Sequence, residues 1–289
     1  MLEYIGFRIA TALFAVIPFR VLYLLADAVA FVLSRIVRYR RAVVFRNLEK
    51  SFPEKSPKEI AGLAARFYLH LADILLESLK GLSMGEAEIK KRYHYSNPEI
   101  LDADWEAGKS VILMPAHYGN WEWGVLSLPL PLKHGIVGIY KPLKNPKVEA
   151  FAAARRTRFG LQLCPITETR TALDKTWNPP VGFIFMSDQS PSNSRKAHWL
   201  TFLHQDTACL QGADIWARKL NMPVYFMDIQ RQKRGFYDIR FTCLSDQPAT
   251  TEVEAITRAY FQQLEMTIRR KPEDWLWSHK RWKKKRTNF

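Results

Sequence analysis

Four short apolar runs, residues 111–114, 135–140, 181–186 and 224–229, are each bounded by turn residues or charges and stand apart by stretches long enough for a helix. Runs of four to six apolar residues read as buried strands, and the segments 148–159 and 212–220 between them read as helices. Alternation of that kind predicts an α/β fold, a mixed sheet flanked by helices. At 289 residues the chain is long enough for one substantial core, and no repeat or low-complexity linker divides it. Upstream, residues 41–82 carry a helical pattern, with Ile60, Leu63, Ala64, Phe67, Leu71, Ile74 and Leu75 at steps of three and four. Ser56, Pro57 and Glu59 mark the expected start of that helix.

The first 41 residues have a different character. Residues 9–19 lack charge, and the apolar stretch continues to Leu33 with Arg20 and Asp27 as its interruptions. Spanning the hydrocarbon of a bilayer takes roughly 20 apolar residues, so the segment reaches that length only with both charges inside it. It is expected to be a retained hydrophobic membrane anchor, tilted through the bilayer or lying in its plane as two helices broken near Pro18. Arg35, Arg38, Arg40 and Arg41 come immediately afterwards, which by the positive-inside rule puts residues 42–289, a single catalytic domain, on the cytoplasmic side. Three widely spaced cysteines, Cys164, Cys209 and Cys243, form neither a disulfide framework nor a metal cluster and suit a reducing compartment.

The net charge is +15, from 43 Lys and Arg against 28 Asp and Glu. Such a surface attracts anionic phospholipid, nucleic acid or an acidic carrier protein, and its sign alone does not choose among them. No nucleic-acid signature such as an RNP motif, KH loop or zinc finger is present, so no nucleic-acid partner is expected.

The sharpest local feature begins at the run 111–114 and passes through Pro115 and Ala116 to His117, then through a Gly119-Asn120 turn to Glu122. Ligands collect at the carboxyl ends of strands in such sheets. Five residues rotate a helix by about 500°, so only the turn, which Gly119 permits, can bring the imidazole and the carboxylate together. An imidazole oriented by a carboxylate through one nitrogen is a general base at the other. The same residues also fit a hydrogen-bonded strand-end histidine and a carboxylate favoured at a helix start. No neighbouring His or Cys completes the three or four ligands zinc requires, so no metal is expected.

Several further blocks stand in order along the chain: Asn47 to Pro53, His117 to Glu122, Tyr140 to Pro146, Arg156 with Arg158, Asp188-Gln189, and Trp275 to Trp282. From end to end they resemble the lipid A biosynthesis acyltransferases, the late acyltransferases of bacterial outer-membrane lipid, within the wider glycerolipid acyltransferase group. That resemblance implies a glycerolipid-acyltransferase-like fold at the bacterial cytoplasmic (inner) membrane. It also implies transfer of an acyl chain from acyl carrier protein or acyl-CoA to a hydroxyl of a lipid acceptor, with no cofactor beyond the donor. His117 would take the hydroxyl proton and Glu122 would orient it. Attack of an alcohol on a thioester needs a base for the proton and donors for the oxyanion, for which backbone amides near Gly119 or a nearby Arg are expected. Gly119, Asn120, Lys141, Arg156, Arg158, Asp188 and Gln189 would surround the substrates, Lys141 and the two arginines meeting phosphates. The family commonly carries Arg at position 141, and Lys keeps the charge without the planar fork. It also commonly has an acidic residue and Gly after the Asp-Gln pair, where Ser190, Pro191 and Ser192 stand here. His279, Arg281 and Trp282 look like a family signature rather than a catalytic set, with Trp275, Trp277 and Trp282 suited to core packing or the membrane surface. The competing functions are an acyl-thioester or lipid hydrolase using His117 to activate water, and a basic membrane-binding protein without catalysis.

Overall fold

The computed structural model describes residues 1–193 and 197–286. Two helices open the chain, α1 (Leu2–Val16) and α2 (Phe19–Phe31), the second running on into a π-helical turn at Val32–Ile36. They are separated because Pro18 supplies no N–H and forces Ile17 into an extended conformation, ψ 122°. At 15 residues α1 is about 22 Å long, short of the roughly 30 Å hydrocarbon core. No described helix is long and apolar enough to cross a membrane, so the expected single anchoring helix is not supported and the pair broken at Pro18 is what forms.

The pair is docked on the body. Next come α3 (Arg41–Ser51) and α4 (Pro57–Gly81), the latter opened by the expected capping box: Ser56 Oγ accepts from Glu59 N while Glu59 Oε2 accepts from Ser56 N at 2.8 Å. Leu22, Ala26 and Ala30 of α2 pack on Ala72 and Leu76 of α4, and fully burying a leucine such as Leu22 contributes about 2 kcal/mol. Lys80, on the last turn of α4, donates to the carbonyls of Ala15 and Ile17, both at 2.8 Å, and so caps the carboxyl end of α1. Asp27 meets Arg234, which also holds buried Asp73. Outward, Ile9, Leu13 and Val16 of α1 and Leu24 and Phe31 of α2 remain exposed.

The body then runs α5 (Glu86–Arg92), β1 (Tyr93–Tyr95), α6 (Asp102–Glu106), β2 (Val111–Met114), α7 (Trp121–Ser127), β3 (Gly135–Tyr140), α8 (Pro146–Arg156), β4 (Leu161–Pro165), α9 (Thr169–Asp174) and β5 (Val181–Ile184). A hairpin of β6 (His198–Phe202) and β7 (Gln205–Cys209) precedes α10 (Gly212–Leu220), β8 (Val224–Lys233), β9 (Phe236–Ser245) and α11 (Ala255–Arg270). Among the described residues the main sheet has seven strands in the order β1-β9-β8-β2-β5-β3-β4. Every pairing in it is parallel except β8 with β9, so the sheet is mixed, as expected. The four strands expected from their apolar runs are all present and occupy adjacent places in it. Strands β2 and β5 are buried along their whole length, which explains why they read as unbroken apolar runs. Short or alternating strands such as β1, β4 and β9 gave no comparable signal.

Candidate active site

Leu113 of β2 pairs with Ile184 of β5. His117 and Asp188 each lie four residues beyond that pair, so two adjacent parallel strands deliver them side by side at the carboxyl edge of the sheet. Asp188 Oδ1 stands 2.7 Å from His117 Nδ1, and Asp188 Oδ2 accepts the His117 backbone N–H at 3.0 Å. Trp275 Nε1 donates to the same Oδ2, also at 3.0 Å. With a carboxylate on Nδ1, that nitrogen carries the proton, and Nε2 presents its lone pair. Burial pulls the His117 pKa down, but the charge and hydrogen bond of Asp188, with the charge of Glu122, outweigh it and leave it raised. Asp188 is buried too, yet its bonds to His117 and Trp275 hold its carboxyl below the usual range.

The carboxylate bonded to the His117 ring is therefore Asp188, where the sequence had pointed to Glu122. Glu122 lies in the first turn of α7, its side chain 41% exposed and 3.8 Å from Arg156 Nη2. The intervening turn is shaped by Gly119, at φ +58°, whose position leaves no room for a side chain: a Cβ there would lie 2.8 Å from Ile229 Cγ2. Asn120 is wholly buried, caps α7 by accepting from Trp123 N, and donates to Glu77 at 2.6 Å. It shapes the turn and has no free face toward a substrate. Glu77 also accepts from Tyr23 and Tyr237, and burial pushes its pKa up to about 7.

Of the expected cations, Lys141 and Arg156 face the site and Arg158 does not. Arg158 donates to the carbonyls of Gly81 and Met84, tying the end of α4 to the segment just after α8, and burial lowers its pKa to about 10, still far above neutrality. The carboxyl-terminal block is structural: Trp275 and Trp277 are core residues, Arg281 is 1% exposed and donates to Ala208 O, and Trp282 bonds Thr207. It also builds the site's floor, since Leu276 N donates to His117 O and Gly119 N to Asp274 O. Trp275, read from the sequence as a packing residue, thus contacts the carboxylate that holds His117. One signal foreshadowed the pairing of His117 with Asp188: each follows a buried apolar run by a few residues, and such runs become neighbouring strands.

Two cavities meet at these residues. The larger, about 850 Å³, lies between the amino-terminal helices and α4, is walled by Val29, Leu33, Ile74 and Leu79, and reaches Gln189 and His279. Burial lowers the His279 pKa to about 4, so this imidazole is neutral. The second, about 650 Å³, runs over β3, β4 and β5 past Leu161, Leu163 and Ile184 to His117 and Lys141. Trp121, Glu122 and Arg156 border both. An oriented imidazole beside cations and two apolar cavities can activate a hydroxyl or water next to long aliphatic chains.

The model of the bacterial lipid A biosynthesis acyltransferase family matches residues 2–284, and the chain belongs to that family; it is an O-acyltransferase. It is 20% identical over 270 residues to the lipid A biosynthesis palmitoleoyltransferase of Escherichia coli (strain K12), covering 92% of this chain and 86% of that one. The likeness to the lipid A biosynthesis acyltransferase of Shigella flexneri has the same identity and coverage.

Proposed function

We propose that this protein transfers a fatty acyl chain from an acyl thioester, on acyl carrier protein or coenzyme A, to a hydroxyl of a lipid A precursor or related membrane lipid. The observation that carries this is the His117–Asp188 pair, with His117 facing one of two apolar cavities that share Trp121, Glu122 and Arg156. His117 Nε2 takes the proton of the acceptor hydroxyl, and Asp188 keeps the other nitrogen protonated and stabilises the imidazolium that forms. Glu122, Arg156 and Lys141 bind at the rim: the cations meet phosphates of acceptor or donor, and Glu122 holds Arg156 in place. Two cavities suit two aliphatic groups, the acyl chain in transit and a chain of the acceptor. The exposed apolar faces of α1 and α2, beside Arg35, Arg38, Arg40 and Arg41, seat the enzyme on the cytoplasmic face of the inner membrane without spanning it.

Mass spectrometry of total lipid from cells with the protein, without it, and with His117→Ala tests this. A lipid lighter by one acyl chain in both altered strains is expected. Unchanged lipid with free fatty acid released in a His117-dependent way would make the enzyme a hydrolase instead.

A further inference from the structure

An oxyanion forms when an alcohol adds to a thioester, and the site must hold a hydrogen-bond donor for it. The backbone amides of residues 117 to 119 are spent: His117 N donates to Asp188 Oδ2 at 3.0 Å, Tyr118 N to Ala116 O at 2.7 Å, and Gly119 N to Asp274 O at 2.9 Å. The side-chain amide of Asn120 is engaged by Glu77. The Gly119 amide itself is therefore not free to act as that donor. Gln189 Nε2, by contrast, lies 3.1 Å from His117 Nε2. Because the carboxylate on Nδ1 leaves the lone pair on Nε2, the Gln189 amide donates to the very nitrogen that must accept the substrate's proton. It reaches that nitrogen from the larger cavity, whereas His117 itself faces the smaller one.

We propose that the Gln189 side-chain amide is the oxyanion donor of this enzyme, parked on His117 Nε2 until proton transfer releases it. The assignment rests on acyl transfer from a thioester as the reaction. The acceptor hydroxyl gives its proton to Nε2 as its oxygen forms a bond to the thioester carbonyl carbon, and the π pair of the carbonyl moves onto the carbonyl oxygen. Once protonated, Nε2 is a donor, so the amide N–H has lost its acceptor at the moment a negatively charged oxygen appears beside it. As the tetrahedral species collapses, the pair returns to the carbonyl, the C–S bond breaks, and the leaving thiolate takes the proton from Nε2. The amide is then free to return to the neutral base. Among the described residues three titratable groups bear on His117: Asp188 from the loop after β5, Glu122 from α7, and His279 from the carboxyl-terminal segment. None of them changes when Gln189 is replaced.

The test compares Gln189→Met, which keeps the length and loses the donor, with wild-type enzyme in detergent micelles, using lauroyl-CoA as thioester and a purified lipid A precursor as acceptor. Loss of one oxyanion donor lowers kcat about 10²-fold, with KM for both substrates nearly unchanged. The acid limb of the pH profile should also move to higher pH, because a donor to the lone pair favours neutral imidazole and is gone. Gln189→Glu, the same size but an acceptor, should be slower still and move the limb further. A kcat within about threefold of wild type, or a fall with the acid limb unmoved, overturns the proposal, since mere packing does not touch the base. If wild-type enzyme yields only free acid, the transfer reading fails. The Gln189 comparison is then read on hydrolysis, which passes through the same oxyanion.

Discussion

Asp188 grips His117 at two points, its Oδ1 at the ring nitrogen Nδ1 and its Oδ2 at the backbone N–H, so one carboxylate sets both the tautomer and the place of the imidazole. Replacing it with Asn removes the charge that stabilises the imidazolium. Asp188→Asn should lower kcat by about 10²- to 10⁴-fold. Glu122→Gln, which leaves that grip intact, should cost less in kcat and act more on acceptor KM. Steady-state kinetics of the two variants check this, and equal losses in kcat would return Glu122 to the role of orienting group.

The pH profile carries the same relationship. His117 is a base only when neutral, and its pKa is raised above the ordinary 6.5. Activity should therefore climb with pH through an inflection above 6.5 in a plot of log kcat/KM. In Asp188→Asn the residual activity should show that inflection at lower pH, since burial then acts without the opposing carboxylate.

Arg156 and Arg158 stand two residues apart and do different work. Arg156→Met should raise the KM of the phosphate-bearing substrate about tenfold, with little change in melting temperature. Arg158→Met strips the bonds to Gly81 and Met84. It should cost about 2–3 kcal/mol of stability and leave KM close to wild type. Paired denaturation and kinetic measurements separate them, and a KM effect from Arg158 alone would contradict the assignment.

Glu77 predicts a slope of stability with pH. Its folded pKa of about 7 lies above the ordinary 4.5, chiefly through burial among Tyr23, Tyr237, Asn120 and Asp73. The folded chain keeps this proton while the unfolded chain releases it. The contribution is thus fullest below pH 4.5 and is lost as pH rises to about 7, amounting to at most about 3 kcal/mol. Urea unfolding across that window should show the decline in the parent protein and a flatter curve in Glu77→Gln. Identical slopes would mean that the carboxyl is ionised throughout.

Much of this was written locally. A capping box needs Ser56 and Glu59 three residues apart, a buried strand needs its run of apolar residues, and the turn after His117 needs a residue that tolerates φ +58°; each is decided within a few residues of chain. His117 and several of the residues that border the cavities could be singled out for that reason. The break at Pro18 was equally visible, and its effect, two short helices in place of one span, came from the missing N–H.

What required the folded chain was every partnership across a distance. Which carboxylate reaches His117 depends on the register of β2 against β5, 71 residues away in sequence, and proximity along the chain pointed to Glu122 instead. Arg158 turned from a phosphate ligand into a brace because the carbonyls at the end of α4 arrive beside it, and the Gly119 amide was spent by Asp274, more than 150 residues on. A hydrogen bond is short-ranged and directional, so its partner is chosen by the packing of sheet and helices, which no local pattern encodes.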